Sequence, residues 1–147
     1  MKCHLMDASS LMLLMKTANI QTELDYLRTS SILDLTFYEV GNAICKETCL
    51  AKFITQQESE VLQNRVQTVL AKIERIPCDA NSFQKIFDIS KNEKLTFYDA
   101  SYLFNAEEKG FVLVTEDKVL RAEAEKRIEV QNVKGLLSQH RTSTQIS

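Results

Sequence analysis

Phe111-Val112-Leu113-Val114 places four apolar residues in a row between Gly110 and Thr115. So short a run, without polar alternation, predicts a strand covered on both faces. Such a strand needs helices above and below it. Only three glycines and one proline occur in 147 residues, which favours long helices over an all-β or disordered chain. Further strands are predicted at residues 3–6, 31–35 and 128–133, with a brief edge strand at 76–78 because Pro77 lacks a ladder donor. Helices are predicted over residues 8–16, 23–28, 36–50, 55–75, 79–90, 96–109 and 116–126. Val61, Leu62, Val66, Val69, Leu70 and Ile73 set the period of the longest, and Phe83, Ile86 and Phe87 are assigned inward-facing positions on the fifth. The alternation predicts an α/β domain with a mainly parallel sheet. Residues 1–133 form the domain, and 134–147 read as a polar, flexible tail.

The net charge of −2 gives no bulk attraction to nucleic acid. Any such binding must rest on a local basic patch or on metal ions. The start, Met1-Lys2-Cys3-His4-Leu5-Met6-Asp7, meets a charge too early for a signal peptide, and residues 11–15 are too short a run to span a bilayer. A cytoplasmic location with reduced thiols follows, without a membrane partner. Cys3, Cys45, Cys49 and Cys78 are read as buried thiols. Only His4 and His140 could complete a zinc set, and the spacing is wrong for one.

The string Leu35-Thr36-Phe37-Tyr38-Glu39 returns sixty residues later as Leu95-Thr96-Phe97-Tyr98-Asp99. A threonine followed three residues on by an acid is a helix start, because the hydroxyl and the carboxylate satisfy opposite backbone donors. Both acids are therefore placed in first helical turns. Asp7 and Asp117 each follow an apolar strand run, and sites in parallel sheets lie outside the carboxyl ends of strands. The four acids thus point to one end of the sheet. Carboxylates gathered together repel unless neutralised. Mg²⁺ or Mn²⁺, which prefer oxygen donors, would neutralise them and support in-line displacement at a phosphodiester. The chain has no Gly-rich phosphate loop and no persuasive nucleophile–histidine pair.

Four motifs in order resemble the PIN-domain family. Met6-Asp7-Ala8-Ser9-Ser10-Leu11 is similar to its opening strand and first acid. Tyr38-Glu39-Val40-Gly41-Asn42-Ala43 is similar to its second acidic motif. Tyr98-Asp99-Ala100-Ser101-Tyr102-Leu103 and Thr115-Glu116-Asp117-Lys118-Val119-Leu120 are similar to its third and fourth. The match spans residues 2–133 and looks most like VapC-like toxins of toxin–antitoxin pairs. The resemblance implies a three-layer α/β/α PIN-like fold with about five strands and a Mg²⁺- or Mn²⁺-dependent endoribonuclease acting on RNA. It assigns metal binding to Asp7, Glu39, Asp99 and Asp117, and a supporting hydroxyl to Thr115. Ser9 and Asn42 become supporting residues, while Lys118 and Arg121 become candidates for RNA contact. It further implies a homodimer and a small antitoxin seated between the helices of residues 36–50 and 55–75. Many relatives carry one more acid after the last motif, where this chain has Val119 and Leu120, so one ion or two stays open.

Other classes fit less well. A receiver domain needs paired acids after strand one, and Asp7 stands alone. A haloacid-dehalogenase-like phosphatase needs Asp-x-Asp, and Ala8-Ser9 follow Asp7 instead. A PIN nuclease of RNA processing or decay, and a non-catalytic PIN module that binds RNA or protein, stay as alternatives.

Overall fold

Successive residues of each strand feed opposite cores, and that alternation builds three layers. The structure is a computed structural model and describes residues 2–50 and 52–146. Strands β1 (His4–Met6), β2 (Ser30–Leu33), β3 (Glu74–Ile76), β4 (Val112–Val114) and β5 (Val130–Gln131) form one sheet in the order β3-β2-β1-β4-β5. Every pairing is parallel. Leu5, Leu33, Ile76 and Leu113 face one core, while Met6, Ile32 and Val114 face the other. The first core is covered by α5 (Phe83–Glu93), α6 (Phe97–Lys109) and α7 (Lys118–Ala124). The second is covered by α1 (Ala8–Thr17), α2 (Ile20–Thr29), α3 (Asp34–Cys45), α4 (Gln56–Lys72) and α8 (Val133–Ile146). Leu5, Ile32 and Leu113 are fully buried, each contributing roughly 1.5–3 kcal/mol of apolar transfer.

Caps and stops account for the helix bounds. Thr55 and Glu58 form a reciprocal capping box at the start of α4. Gly110 ends α6 at φ 66°, a left-handed turn that glycine enters without steric cost. From β1 the chain builds outward to β2 and β3, and β4 then opens the opposite side. The reversal lies between β1 and β4, which is where open parallel sheets place ligands.

The structure departs from several expectations. The long helix stops at Lys72, and Glu74–Ile76 turns into β3, which pairs with β2. Ile73 lies buried between the two elements, and a single buried apolar position at a helix end fits a helix or an extended chain alike. The stretch from Lys134 is helical where a flexible tail was expected. Val133 and Leu136, three apart, seat α8 in the core, and Tyr26 donates its hydroxyl to Leu136 O at 2.5 Å. Ile86 is buried as assigned, but Phe83 and Phe87 are exposed and stack on each other, with ring centres 6.3 Å apart. Cys45, Cys49 and Cys78 are exposed and Cys3 partly so, against the expected burial. The last turn after α3, Lys46–Leu50, is a π-helix.

Candidate active site

β1 and β4 end side by side. Met6 pairs with Val114, and the Asp7 N–H donates to Val114 O at 3.1 Å. Both chains then turn into helices, with Asp7 capping α1 and Asp117 capping α7. Asp7 is 6% exposed, and burial of a carboxylate demands donors. Its Oδ1 accepts the Ser10 N–H at 2.9 Å and the Ser9 hydroxyl at 2.7 Å; its Oδ2 accepts the Thr115 hydroxyl. Thr115 Oγ1 in turn accepts the Asp117 N–H at 3.0 Å, and Asp117 Oδ1 accepts the Leu120 N–H at 2.8 Å. Ser9 Oγ accepts the Glu116 N–H at 3.2 Å. Asp7, Ser9, Thr115 and Asp117 therefore form one network across the strand ends.

α6 and α3 add the other two acids. Asp99 is the third residue of α6, and its N–H donates to the cap hydroxyl of Thr96 at 3.1 Å. Glu39 lies in the second turn of α3, not the first as predicted, because α3 begins at Asp34. Its Oε1 accepts the Tyr102 hydroxyl at 2.7 Å.

The electrostatics join the two pairs. Burial raises the Glu39 carboxyl above its ordinary value, the charges of Asp7 and Asp99 raise it further, and the Tyr102 hydrogen bond opposes them. Burial also raises Asp99, as do the charges of Asp117 and Asp7, against the Thr96 hydrogen bond. Burial drives the Tyr102 phenol far above its usual range, and Glu39 and Asp7 add to the effect, so the hydroxyl is a neutral donor.

The remaining predicted residues fall into place around this network. Asn42 is exposed one turn beyond Glu39, and its side chain makes no hydrogen bond to the described residues. Lys118 is exposed at the start of α7, and Arg121 pairs with Glu125 at 2.7 Å. Glu116 turns away, accepting the Val133 N–H at 2.8 Å at the start of α8. Tyr38 is 71% exposed, whereas Tyr102 is only 1% exposed.

Three contributors escaped sequence reasoning. Thr36 was read as a cap and Ser10 as part of a helix. Thr36 Oγ1 instead lies 2.7 Å from the Tyr102 hydroxyl, and Ser10 Oγ donates toward Val114 O at 2.7 Å, tying α1 to β4. The Tyr102–Glu39 contact spans 63 positions, and only the spacing of Tyr102 three residues after Asp99 on one helix hinted at it.

The donor set suits a hard divalent cation. Its donors are all oxygen, neighbouring acids raise the Glu39 and Asp99 carboxyls, and no described Lys or Arg pairs with Asp7, Glu39, Asp99 or Asp117. As they stand, no three of the described acids converge into a ready-made cage.

A parallel sheet with acids gathered beyond β1 and β4 and on two flanking helices defines the class of PIN-domain nucleases. The chain belongs to the VapC-like family of that class. It is 35% identical over 130 residues to the Exonuclease VapC9 of Pyrobaculum aerophilum, covering 88% of this chain and 92% of that protein. The crystal structure of PAE2754 from Pyrobaculum aerophilum superposes at a TM-score of 0.80 with 30% identity, covering 94% of this chain and 88% of that one. FitAcB from Neisseria gonorrhoeae shares the fold at a TM-score of 0.61 and 16% identity, over 88% of this chain and 97% of that one. FitAB bound to the IR36 DNA fragment does so at 0.59 and 13%, over 88% and 94%. No family model matches the chain.

Proposed function

We propose that this protein is a Mg²⁺- or Mn²⁺-dependent endoribonuclease and the toxin of a toxin–antitoxin pair. The observation that carries the proposal is that four separate chain segments bring the acids near enough for Asp7 and Asp99 to raise the Glu39 carboxyl, and for Asp117 and Asp7 to raise that of Asp99. Those four residues would hold the ion. When bound, it supplies Lewis acidity and neutralises charge at the phosphodiester. Thr115 and Ser9 hold Asp7 in one orientation, and Asp117 is fixed by the first turn of α7. The exposure of Lys118 beside Asp117 supports a phosphate contact there, with Arg121 one turn further and paired with Glu125. Glu39 and Asp99 are half-buried and Asp117 is exposed, so a strand can enter from its side. That openness supports cutting within a chain, although the Pyrobaculum relative is called an exonuclease.

The reading extends to partners. A groove of about 460 Å³ runs between α3 and α4, lined by Phe37, Gly41, Ile44, Val66, Leu70 and Arg75. It supports seating of a small antitoxin helix. The exposed aromatics Phe83, Phe87 and Tyr98 support a homodimer. No described helix is long and apolar enough to cross a membrane. The exposed free thiols support a reducing, cytoplasmic location.

Cleavage of labelled linear and circular single-stranded RNA, with Mg²⁺, Mn²⁺ or chelator, tests the proposal, with Asp99→Asn alongside. Metal-dependent cutting of the circle, absent in Asp99→Asn, is the expected result. Cutting of the linear RNA alone would assign exonuclease action. The spread of the acids favours a second reading, a non-catalytic module that binds RNA or protein. Absence of both cutting and metal binding would select it.

A further inference from the structure

The hydroxyl chain behind Glu39 runs in one direction. The Leu33 N–H donates to Thr36 Oγ1 at 3.1 Å, which leaves the Thr36 hydroxyl hydrogen for the Tyr102 oxygen 2.7 Å away. Tyr102 then donates to Glu39 Oε1 at 2.7 Å. Thr36 is fully buried and Tyr102 is 1% exposed, so neither hydroxyl has water as an alternative partner. Glu39 Oε1 is therefore occupied from the protein side. Oε2 accepts no hydrogen bond from the described residues, and the charges of Asp7 and Asp99 act on the Glu39 carboxyl.

We propose that Thr36 and Tyr102 are positioning residues that hold Glu39 to one-oxygen ligation through Oε2, and so tune the site against Ca²⁺ in favour of Mn²⁺ and Mg²⁺. The inference rests on the reading of the four acids as a metal site. Its physical basis is that Ca²⁺ accepts two-oxygen carboxylate ligation in a large, flexible shell, whereas Mg²⁺ demands a compact octahedron. Partners that orient ligands from behind commonly change metal affinity by about 10- to 100-fold when removed. Tyr102→Phe keeps the ring in the core and removes only the donor. Thr36→Val removes the hydroxyl that orients it, and Thr36→Ser restores that hydroxyl.

The test is calorimetric titration of the full chain, free of RNA, with Mn²⁺ and separately with Ca²⁺. Expected is wild-type preference for Mn²⁺, a fall of about 10-fold in the Mn²⁺-to-Ca²⁺ affinity ratio in Tyr102→Phe, a similar fall in Thr36→Val, and near wild-type behaviour in Thr36→Ser. The double variant Tyr102→Phe/Thr36→Val should match the single ones, because the two hydroxyls act in series. A purely structural role would lower the melting temperature and leave the ratio unchanged, which overturns the proposal. Unchanged ratios in folded Tyr102→Phe and Thr36→Val do so while sparing the metal reading. Failure of the wild-type chain to bind either ion overturns both. If Tyr102→Phe does not fold, the contrast between Thr36→Val and Thr36→Ser decides alone.

Discussion

The two copies of Leu-Thr-Phe-Tyr-acid fold in different helical frames. Thr96 precedes α6 as its cap, so Asp99 falls in the first turn. Thr36 is the third residue inside α3, so Glu39 falls in the second. What precedes each copy sets the frame. Lys94, at φ 55°, stops α5 in a left-handed turn, and the chain leaves the helix through Leu95 to an extended Thr96 before the next one. β2 instead runs directly into α3 at Leu33, where Asp34 occupies the first turn and accepts the Cys78 N–H at 3.1 Å. The same threonine is exposed in one copy and fully buried in the other. The acids compensate, since Glu39 carries one more methylene than Asp99 and its carboxyl still feels the Asp99 charge. A local motif thus specifies a helix nearby, while the junction before it decides which residue points where.

The largest expected effect comes from treating the acids as interchangeable. Glu39→Asp shortens the side chain without removing charge and draws it back from Tyr102. Its loss of RNA cleavage should approach that of Glu39→Gln and Asp99→Asn, roughly 100-fold or more in kcat. Single-turnover cleavage in Mn²⁺ measures this. Wild-type activity in Glu39→Asp would break the comparison, because the frame would then not matter.

Next come the threonines. Thr96→Ala removes an exposed cap and should cost about 1 kcal/mol. Thr36→Ala strips the Leu33 N–H and the Tyr102 hydroxyl of a buried partner and should cost more, about 2–3 kcal/mol. Urea unfolding of both variants gives the order directly, and equal losses would mean that Thr36 behaves as a cap after all.

A smaller effect concerns pH in chelated, metal-free protein. The Glu39 and Asp99 carboxyls are raised in the folded state. A raised acid contributes stability that is fully present below its unfolded pKa, near 4, and is lost as pH rises through its folded pKa. Relative to wild type, Asp99→Asn and Glu39→Gln should therefore melt a few degrees higher at pH 7, with the gap closing near pH 4. Thermal melts across that range measure the gap, and a gap that widens on acidification would reverse the sign argued here.

The parts of the molecule that were legible in the chain follow from local chemistry. The Phe111–Val114 run, Gly110 and the four acids each report on their immediate neighbourhood, and β4, the end of α6 and the network of Asp7, Thr115 and Asp117 lie where that chemistry places them. Long-range packing was not legible. Ile73 carries the same burial signal in a helix or a strand, and β3 exists because β2 is there to pair with it. The α8 segment is polar along most of its length, and Val133, Leu136 and Leu137 at its start pack on the core. Phe83 and Phe87 carry the period of an inward face, yet both are exposed on the outer side of α5, stacked on each other, with Phe83 against Phe97. Glu39 was placed one turn early because the rule for caps looks at three residues, whereas the helix had begun before them.

The tyrosines of the two strings give the smallest effect and the cleanest control. Tyr38 and Tyr98 are 71% and 59% exposed, and neither hydroxyl is hydrogen-bonded within the described residues. Replacing either by Ser should leave stability within about 0.5 kcal/mol, as for surface positions without partners. Each tyrosine immediately precedes an acid, however, so its ring lies beside any strand that reaches the site. Stacking of an unpaired base on an aromatic ring contributes about 1–3 kcal/mol. A rise in KM for RNA in Tyr38→Ser or Tyr98→Ser, with kcat and urea midpoint unchanged, would therefore report contact and not folding. The two frames make the pair unequal. Tyr98 lies in the first turn of α6 and lines one cavity with Phe83, whereas Tyr38 packs edge-on to Phe37 with ring centres 5.3 Å apart. Phe37 lines the groove between α3 and α4. Tyr98→Ser should raise KM for RNA more than Tyr38→Ser, whereas Tyr38→Ser should disturb whatever fills that groove. Equal KM shifts would show that the difference in helical frame ends at the acids and does not extend to the residues beside them.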